Sequence, residues 1–310
     1  MRHSLSLLAV FAASAFAVPA SATDYPLSLD NCGFPLTIEA APQRVVAIKS
    51  TAAELLLSLG LGEHMVGVAF LDGPLPPALG GTDIPVLSEK LPSQEVVLET
   101  EPDFVYGGWE SNFAADGAGE RQTLGQLGVN SYVAPAACRS VKPAKLSFDM
   151  LFGEIAEMGQ IFNVEDKAAA LIAEQKAKLG SVAPDKRDLT ALWYSSGTKT
   201  PYVGAGSNAP AMILEALGLK NIFAGVDEGW TSASWEAIVD ANPDVIVLVD
   251  AAWNSAEAKK KLLAENPITS KLDAVINQRY LVLPFPASEA GVRNVPATVD
   301  MATQLAGLRF

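Results

Sequence analysis

The side chains best suited to bind something are aromatic and polar residues predicted to lie where strands end. Ligands of open parallel α/β sheets bind at the carboxyl ends of the strands. Three of the five tryptophans fall in loops at those ends, and flat aromatic surfaces with a few polar groups suit a large, planar ligand. The residues predicted to line such a cleft are Lys49, Ser50, Phe70, Asp72, Trp109, Glu110, Asn112, Arg139, Ser195, Ser207, Trp230, Trp253, Phe285, Ser288 and Arg293.

Some of these residues have a simpler interpretation. The cations Lys49, Arg139 and Arg293 could meet acidic groups of a ligand, but each alone could be a solvated charge. Each tryptophan could fill the core of its own loop. Three tryptophans at strand ends are harder to explain in that way, so the sequence favours a binding cleft.

Motifs that indicate catalysis are mostly absent. The sequence has no Gly-x-Ser-x-Gly nucleophile motif and no phosphate loop ending in Gly-Lys-Ser/Thr, and Gly204-Ala-Gly206 lacks the third glycine of a dinucleotide fingerprint. After residue 22 there is one histidine, His64, which argues against a His-rich metal site. We predict that the chain is not an enzyme, has no covalently bound cofactor and ligates no metal directly, so that any metal arrives inside a chelate.

The elements that must position these loops alternate between strands and helices. That alternation predicts an α/β fold with parallel sheets covered on both faces. Two helices at residues 147–162 and 165–179 have no strand between them, so we interpret 147–184 as a helical connector. The connector separates a lobe at 23–146 from a lobe at 185–310. Because it contains no flexible hinge sequence, we expect little lobe movement.

Two short sequence patterns, which we call phrases, recur in the two lobes. Glu95 and Glu236 are each followed seven residues later by Pro-Asp and an apolar strand. In each lobe an earlier helix ends at Gly-Leu, at Gly60 and at Gly218. Self-similarity of this kind predicts two lobes of like construction that hold something between them.

The first 22 residues have the pattern of a secretory signal. Arg2 and His3 precede an apolar run at residues 5–18, and Ala20-Ser21-Ala22 provides a small-residue cleavage site. No cysteine follows closely, so we predict a soluble exported protein without a lipid anchor. The net charge of −13 argues against nucleic acid and anionic membranes as partners, although it is also ordinary for an exported protein.

Cys32 and Cys138 are the two cysteines of the chain. In an oxidising compartment a pair usually forms a disulfide. The alternatives are two separate buried thiols or, less simply, a metal site.

Several segments resemble one family. Pro42-Gln-Arg-Val-Val-Ala-Ile48, the Glu54-Leu-Leu helix ending at Leu59-Gly60 and both Glu…Pro-Asp phrases are similar to periplasmic substrate-binding proteins of ABC importers for iron-siderophores, haem and cobalamin. The resemblance covers essentially all of the chain after residue 22. It implies two Rossmann-like lobes, each with a parallel-dominated sheet, joined by a long α-helical connector, with one ligand in the cleft. Lys49-Ser-Thr-Ala-Ala-Glu and Tyr106-Gly-Gly-Trp-Glu-Ser-Asn112 look most like a branch assigned to a deazaflavin-coenzyme precursor.

The resemblance also implies a function and partners. We expect a monomeric periplasmic protein that captures a metal chelate or similar bulky organic cofactor and delivers it to an ABC permease dimer with its cytoplasmic ATPase. Glu95 and Glu236 match the glutamates that dock onto permease arginines in that family, whereas the simpler reading is that each only begins a helix. The membrane is contacted only through the permease. The alternative is an exported two-lobed enzyme or a ligand sensor.

A disulfide between Cys32 and Cys138 would leave no free thiol in the mature protein. The mature protein, denatured without reductant, should show no free thiol, and two free thiols would contradict the pairing. Because the disulfide closes a loop of more than 100 residues, its loss should cost roughly 3–5 kcal/mol of unfolding free energy. Urea unfolding of the Cys32→Ser/Cys138→Ser variant measures that cost.

Overall fold

The computed structural model describes residues 23–81 and 83–310. The predicted signal sequence, residues 1–22, lies outside the described residues. Within that part of the chain, none of the helices combines the length and the apolar character needed to cross a bilayer.

The first lobe begins with an antiparallel hairpin of two strands, β1 (Leu27–Asn31) and β2 (Phe34–Ile38). A five-stranded parallel sheet follows in the order β5-β4-β3-β6-β7. Its elements in chain order are β3 (Val45–Ile48), α1 (Ser50–Ser58), β4 (Met65–Ala69), β5 (Val86–Ser88), α2 (Gln94–Leu98), β6 (Phe104–Gly107), α3 (Arg121–Gln126) and β7 (Asn130–Val133). The short edge strand β5 was not predicted, because it lies in a Pro- and Gly-rich stretch with no strand periodicity.

Two helices follow, α4 (Phe148–Ile161) and α5 (Glu165–Gly180), as predicted. They pack closely where Gly159 meets Ala168: a Cβ on that glycine would lie 2.6 Å from the Ala168 Cβ. Phe152, Ile155 and other residues of α4 join the core of the first lobe, whereas Leu151 joins the core of the second. Helix α4 therefore contributes to both hydrophobic cores.

The second lobe holds a mixed sheet in the order β11-β9-β8-β12-β13, with β10 also paired to β8. Strands β8, β12 and β13 run parallel. At one edge β9 pairs antiparallel with β8, and β11 pairs antiparallel with β9. The elements are β8 (Thr190–Ser196), β9 (Tyr202–Gly204), α6 (Ala209–Ala216), β10 (Lys220–Asn221), β11 (Trp230–Ser232), α7 (Trp235–Ala241), β12 (Val245–Asp250), α8 (Ala256–Glu265), α9 (Asp273–Ile276), β13 (Tyr280–Pro284) and α10 (Asn294–Gly307). Together the two lobes confirm the predicted fold class.

Two local predictions are wrong. Trp230, predicted on a loop, is the first residue of β11, a three-residue edge strand too short to leave a sequence pattern. Ser50 and Thr51 are hydroxyl residues at the start of an apolar helical pattern, which predicts that they cap α1. They are instead its first helical residues, and the N-cap position belongs to Lys49. The Ser50 hydroxyl accepts the backbone N–H of Asp72 instead, so it ties α1 to the loop after β4.

The two recurring phrases have matching structures. Gly60 and Gly218 adopt φ of 68° and 73° after α1 and α6, and in each case the following leucine N–H closes the helix with a bond to the carbonyl five residues back. The Asp103 carboxylate accepts hydrogen bonds from the backbone N–H groups of Gln43 and Arg44, just before β3. The Asp244 carboxylate accepts a hydrogen bond from the backbone N–H of Thr190, the first residue of β8. In both lobes the Pro-Asp turn therefore secures the start of the central strand.

The predicted disulfide between Cys32 and Cys138 is present, with a Cα–Cα distance of 5.3 Å. Cys32 lies in the turn of the hairpin, and Cys138 follows β7. The bond therefore holds the hairpin against the edge of the first sheet.

Glu154 of α4 is a carboxyl group inside the first lobe, 6% exposed. The hydroxyl of Tyr106 donates a hydrogen bond to it. Burial raises the pKa of Glu154 to about 7; the hydrogen bond opposes this rise, and the nearby Glu157 adds to it. Because the folded pKa lies above the unfolded value, the folded state binds the extra proton, and stability falls as the pH rises towards 7.

We expect Glu154→Gln to remove this pH dependence, since glutamine keeps the shape and cannot ionise. The pKa difference corresponds to about 3 kcal/mol, so between pH 5 and pH 8 the native protein should lose roughly 2–3 kcal/mol relative to the variant. Urea unfolding at both pH values measures the difference. Glu157→Gln, which removes a half-exposed carboxylate bonded to Tyr132, is the control and should keep most of the loss, because burial of Glu154 is the main cause and Glu157 only adds to it. Equal pH dependence in all three proteins would contradict the assignment.

Candidate ligand-binding cleft

A cavity of about 510 Å³ lies between the lobes, at the carboxyl ends of their parallel strands. Its size is within the usual range for small-molecule sites. Residues after β6 and β7 line it from the first lobe, and residues around β8, β9, β11, β12 and β13 line it from the second. The predicted site residues that line it are Trp109, Arg139, Ser195, Ser207, Trp230, Trp253, Phe285 and Ser288.

The other predicted residues lie behind this lining. They are Lys49, Ser50, Phe70, Asp72, Glu110, Asn112 and Arg293, none of which borders the cavity. Their contacts with the protein itself are nevertheless specific, and they hold the lining residues in place. Ligand contact by any of the fifteen residues stays a prediction.

Lys49 is enclosed at the boundary between the lobes, 1% exposed. Its ammonium pairs with Asp72 and lies 3.8 Å from the ring centroid of Trp109 and 4.4 Å from that of Phe70. Phe285 of the second lobe approaches at 5.9 Å. Because a buried cation needs both a counter-charge and polarisable surroundings, this arrangement neutralises Lys49 within the protein.

The close packing around Lys49 needs a glycine just after the adjacent strand β6. A Cβ at Gly108, just after β6, would lie 2.6 Å from the Thr51 Oγ1 and 2.7 Å from the Lys49 Cβ. Lys49 itself has φ of 83°, a conformation rarely adopted by residues other than glycine. Such conformations persist where the surrounding contacts over-determine them.

Trp109 is held in one orientation by both lobes. Its backbone N–H donates to the Asn112 side chain at 2.9 Å, and its ring packs edge-to-face against Phe70 with centroids 5.8 Å apart. Its indole Nε1–H donates to Glu289 of the second lobe at 3.0 Å. The predicted residues Asn112 and Phe70 thus act on the cleft by positioning Trp109.

Glu110 likewise holds the loop that carries Arg139 in position. It accepts the backbone N–H groups of Arg139 and Ser140 and the Ser140 hydroxyl. Burial would raise the pKa of Glu110, but the hydrogen bonds from Ser140 and Arg139 outweigh it, so the pKa is lowered. The charged end of Arg139 is left to the exposed rim of the cavity.

Arg293 is neutralised by an ion pair with Glu54 of the other lobe, with distances of 2.6 Å and 2.5 Å between the two groups. Glu54 is almost fully buried. Burial raises the pKa of Glu54, although the hydrogen bonds and charge of Arg293 oppose it. Of the three cations predicted to meet an acidic ligand, two therefore already have carboxylate partners in the protein.

Sequence reasoning missed several lining residues, notably Tyr202, Lys142, Asn208, Asp227, Glu228 and Glu289. Tyr202 begins β9, which is antiparallel to β8, so the start of this strand lies opposite Ser196 at the cleft edge. A search of strand ends alone cannot find it. Asn208, Asp227, Glu228 and Glu289 belong to loops predicted at strand ends, the same loops that carry Ser207, Trp230 and Ser288, but they were not among the predicted site residues. Lys142 carries no signal at all.

Direct contacts between the lobes fix the width of the cleft. The Leu146 N–H donates to the Ser207 carbonyl at 2.8 Å, and the Asn208 side chain donates to the Ala136 carbonyl at 3.0 Å. At the rim, the exposed Lys142 pairs with Asp227 at 2.5 Å. These contacts join the lobes on the cavity side, whereas α4 and α5 join them behind it.

One polar group of the lining has no partner. The Ser195 hydroxyl oxygen is buried and makes no hydrogen bond within the described residues. Ser195 is 9% exposed and borders the cavity. A buried hydroxyl without a partner is costly, so a ligand that reached it would gain from pairing with it.

Glu95 and Glu236 lie outside the cavity lining, at equivalent positions of the two lobes. Each is exposed and is the second residue of a short helix, α2 or α7. Ser93 and Ser234 cap these helices by accepting the N–H of the third helical residue. Neither glutamate borders the cavity.

Among residues 23–81 and 83–310, no group of three His, Cys, Asp or Glu side chains is placed to hold a metal ion. The cavity lining includes no histidine. The lining offers aromatic rings, hydroxyls and a few charges, which can bind and orient a ligand.

Residues 45–287 match the family described as periplasmic binding protein, and the chain belongs to this family. A periplasmic binding protein of Veillonella parvula has a similar structure, with a TM-score of 0.81, 26% identity, and coverage of 92% of this chain and 98% of that one.

Curated relatives include an ABC transporter substrate-binding lipoprotein of Bacillus subtilis, described as uncharacterised. It is 25% identical over 291 residues, 91% of this chain and 86% of the relative. A cobalamin-binding protein of Halobacterium salinarum is 27% identical over 273 residues, 81% of this chain and 68% of the relative.

The inter-lobe contacts and the α4–α5 pair lead us to expect little movement on ligand binding. Protein purified from its native periplasm should be compared by small-angle scattering before and after its ligand is removed by unfolding and refolding. The radius of gyration should change by less than about 1 Å, as in preorganised complexes. A change of several ångströms in the radius of gyration would indicate hinge closure and contradict our expectation that the lobes move little.

Proposed function

We propose that this chain is the periplasmic substrate-binding subunit of an ABC importer. It captures a metal chelate, or a similar bulky organic cofactor, in the inter-lobe cleft and delivers it to a permease dimer. The protein carries no covalently bound cofactor, and its residues ligate no metal directly. The observation that carries the proposal is the pair of exposed glutamates, Glu95 and Glu236, at equivalent positions of two lobes that enclose one cavity.

The contacts around each glutamate argue that its carboxylate is free for a partner. Within each phrase the serine caps the helix and the aspartate secures the central strand. The glutamate side chain takes no part in either contact. A carboxylate near a helix start gains slightly from the helix dipole, but that gain does not require the same position in both lobes.

A permease dimer offers a physical reason for the matched positions. Two like subunits present two like surfaces, and a two-lobed protein can meet both with equivalent carboxylates. Bonds from arginine to carboxylate are strong and directional, so such pairs would orient the protein on the permease as well as attract it.

The cleft supports a flat and bulky ligand. Trp109, Trp230, Trp253, Tyr202 and Phe285 all border it. Trp253 is 66% exposed and packs edge-to-face on Phe285 with centroids 5.9 Å apart. Exposed aromatic surface at a cavity rim is typical of a site that a ligand covers.

The cellular location is part of the proposal. The signal pattern predicts export, and the missing nearby cysteine predicts a protein without a lipid anchor. The Bacillus subtilis relative, in contrast, is described as a lipoprotein. We propose that this chain is free in the periplasm and reaches the membrane through its permease.

Changing Glu95 and Glu236 together to alanine should abolish delivery and leave binding intact. The expected result is a loss of at least about tenfold in the stimulation of ATP hydrolysis by the permease complex in nanodiscs, because charge pairs at an interface are lost. Native mass spectrometry should still find the endogenous ligand on the variant.

The matched control is Glu99→Ala/Asp240→Ala, which removes two exposed carboxylates on or beside the same helices. It should stimulate the permease normally. Loss of ligand together with normal stimulation in the Glu95/Glu236 variant would reverse the assignment.

A further inference from the structure

We propose that Glu289 selects the ligand, and that the part of the cavity formed by Trp109, Phe285 and Glu289 takes a nitrogen group that is cationic or donates N–H bonds. Amidines, guanidines, protonated amines and ring N–H groups have this chemistry, whereas carboxylates do not. We call this part of the cavity the Glu289 end. The inference rests on the proposed binding role of the cleft and adds the chemical class of the group bound there.

The charge around the Glu289 end is negative once internal pairs are counted. Lys49 is neutralised by Asp72, and Arg293 by Glu54. Lys142 is paired with Asp227 at the rim, which leaves the exposed Arg139 as the unpaired cation of the described lining. Glu289 therefore faces the cavity without a counter-ion of its own.

Glu289 uses only part of its hydrogen-bonding capacity. Its Oε2 accepts the Trp109 indole N–H at 3.0 Å, and within the described part of the chain no donor reaches its Oε1. An ionised carboxylate can accept several hydrogen bonds. Glu289 borders the cavity, so a ligand donor there could pair with the remaining acceptor sites.

The environment of Glu289 makes an arriving donor favourable. Burial raises the pKa of Glu289; the Trp109 hydrogen bond and the charge of Lys49 oppose the rise, and the Asp72 carboxylate adds to it. This direction means that the protein alone under-stabilises the charged form of Glu289. A cationic or N–H-donating group would relieve that cost, whereas a second carboxylate would increase it.

The aromatic rings at the Glu289 end also favour a cationic group. Trp109 and Phe285 both border the cavity, and aromatic faces attract planar cations. An amidine or guanidine can stack on a ring while its N–H groups point to a carboxylate, since its donors lie in the plane. Elsewhere on the same lining, the unpartnered Ser195 hydroxyl provides a second polar contact for the rest of the ligand.

Benzamidine and benzoate are suitable probes, because they are similar in size and shape and carry opposite charges at neutral pH. Binding of each to the ligand-free full-length mature protein should be measured by tryptophan fluorescence and by ligand-observed NMR. We expect benzamidine to bind at least about tenfold more tightly than benzoate, the size of effect of one charge-assisted hydrogen bond. Equal binding, tighter benzoate binding or no benzamidine binding at millimolar concentration would overturn the proposal.

Glu289→Gln tests the residue itself. Glutamine keeps the shape and an acceptor for Trp109 but removes the charge, so benzamidine binding should weaken by at least about tenfold. Glu99→Gln removes the same charge from an exposed site outside the cavity and should leave binding unchanged. Circular dichroism checks that both variants fold, and the comparison of probes on the native protein does not depend on either variant.

The result separates this inference from the proposed function. If benzoate binds better while Glu95 and Glu236 still govern permease stimulation, only the ligand chemistry is wrong. If benzamidine binds through Glu289 but the permease does not respond to the protein, the site stands and the transport role fails.

Discussion

The burial of the Lys49 ammonium is the interaction around which the cleft is built. It draws together the end of β3, the loop after β4 and the loop after β6, because Lys49, Asp72, Phe70 and Trp109 must all reach one point. Phe285 adds the second lobe to the same cluster. A cation in this position cannot be left unpaired, so any movement of one loop is resisted by the others.

The polar contacts between the lobes continue from this cluster. Trp109, fixed over Lys49, donates across the cleft to Glu289, and a few residues along the chain Arg293 returns an ion pair to Glu54. The ammonium of Lys49 therefore finds its carboxylate on an adjacent loop of the same lobe, and the guanidinium of Arg293 finds its carboxylate in the other lobe. What is left for a ligand is an aromatic cleft with one carboxylate and one hydroxyl not fully satisfied.

The two lobes repeat one construction with different details. Both central strands begin at an aspartate bond, both first helices end at a left-handed glycine, and both present a glutamate at the start of a short capped helix. The strand and helix contacts explain why the aspartates and glycines recur. They do not explain the glutamates, for which we propose contact with the permease.

The sequence by itself determined the order of most elements, the two-lobe repeat and the edge of the sheets where the cleft lies, and it favoured the disulfide. These features follow from local rules: apolar strands, glycine-terminated helices, and the rule that parallel strands end at one edge. Short edge strands such as β5 and β11 escaped, because three residues carry no periodicity and their pairing comes from distant segments.

Only the tertiary structure decided which strand-end residues line the cavity. Lys49 and Arg293 are charged in the sequence and could have faced a ligand, but folding places Asp72 and Glu54 beside them. Tyr202 reaches the cleft because β9 reverses direction, and Glu289 because the lobes meet at Trp109. Pairing of charges across more than 200 residues, as between Glu54 and Arg293, leaves no local pattern, since it depends on how two separately folded sheets face each other.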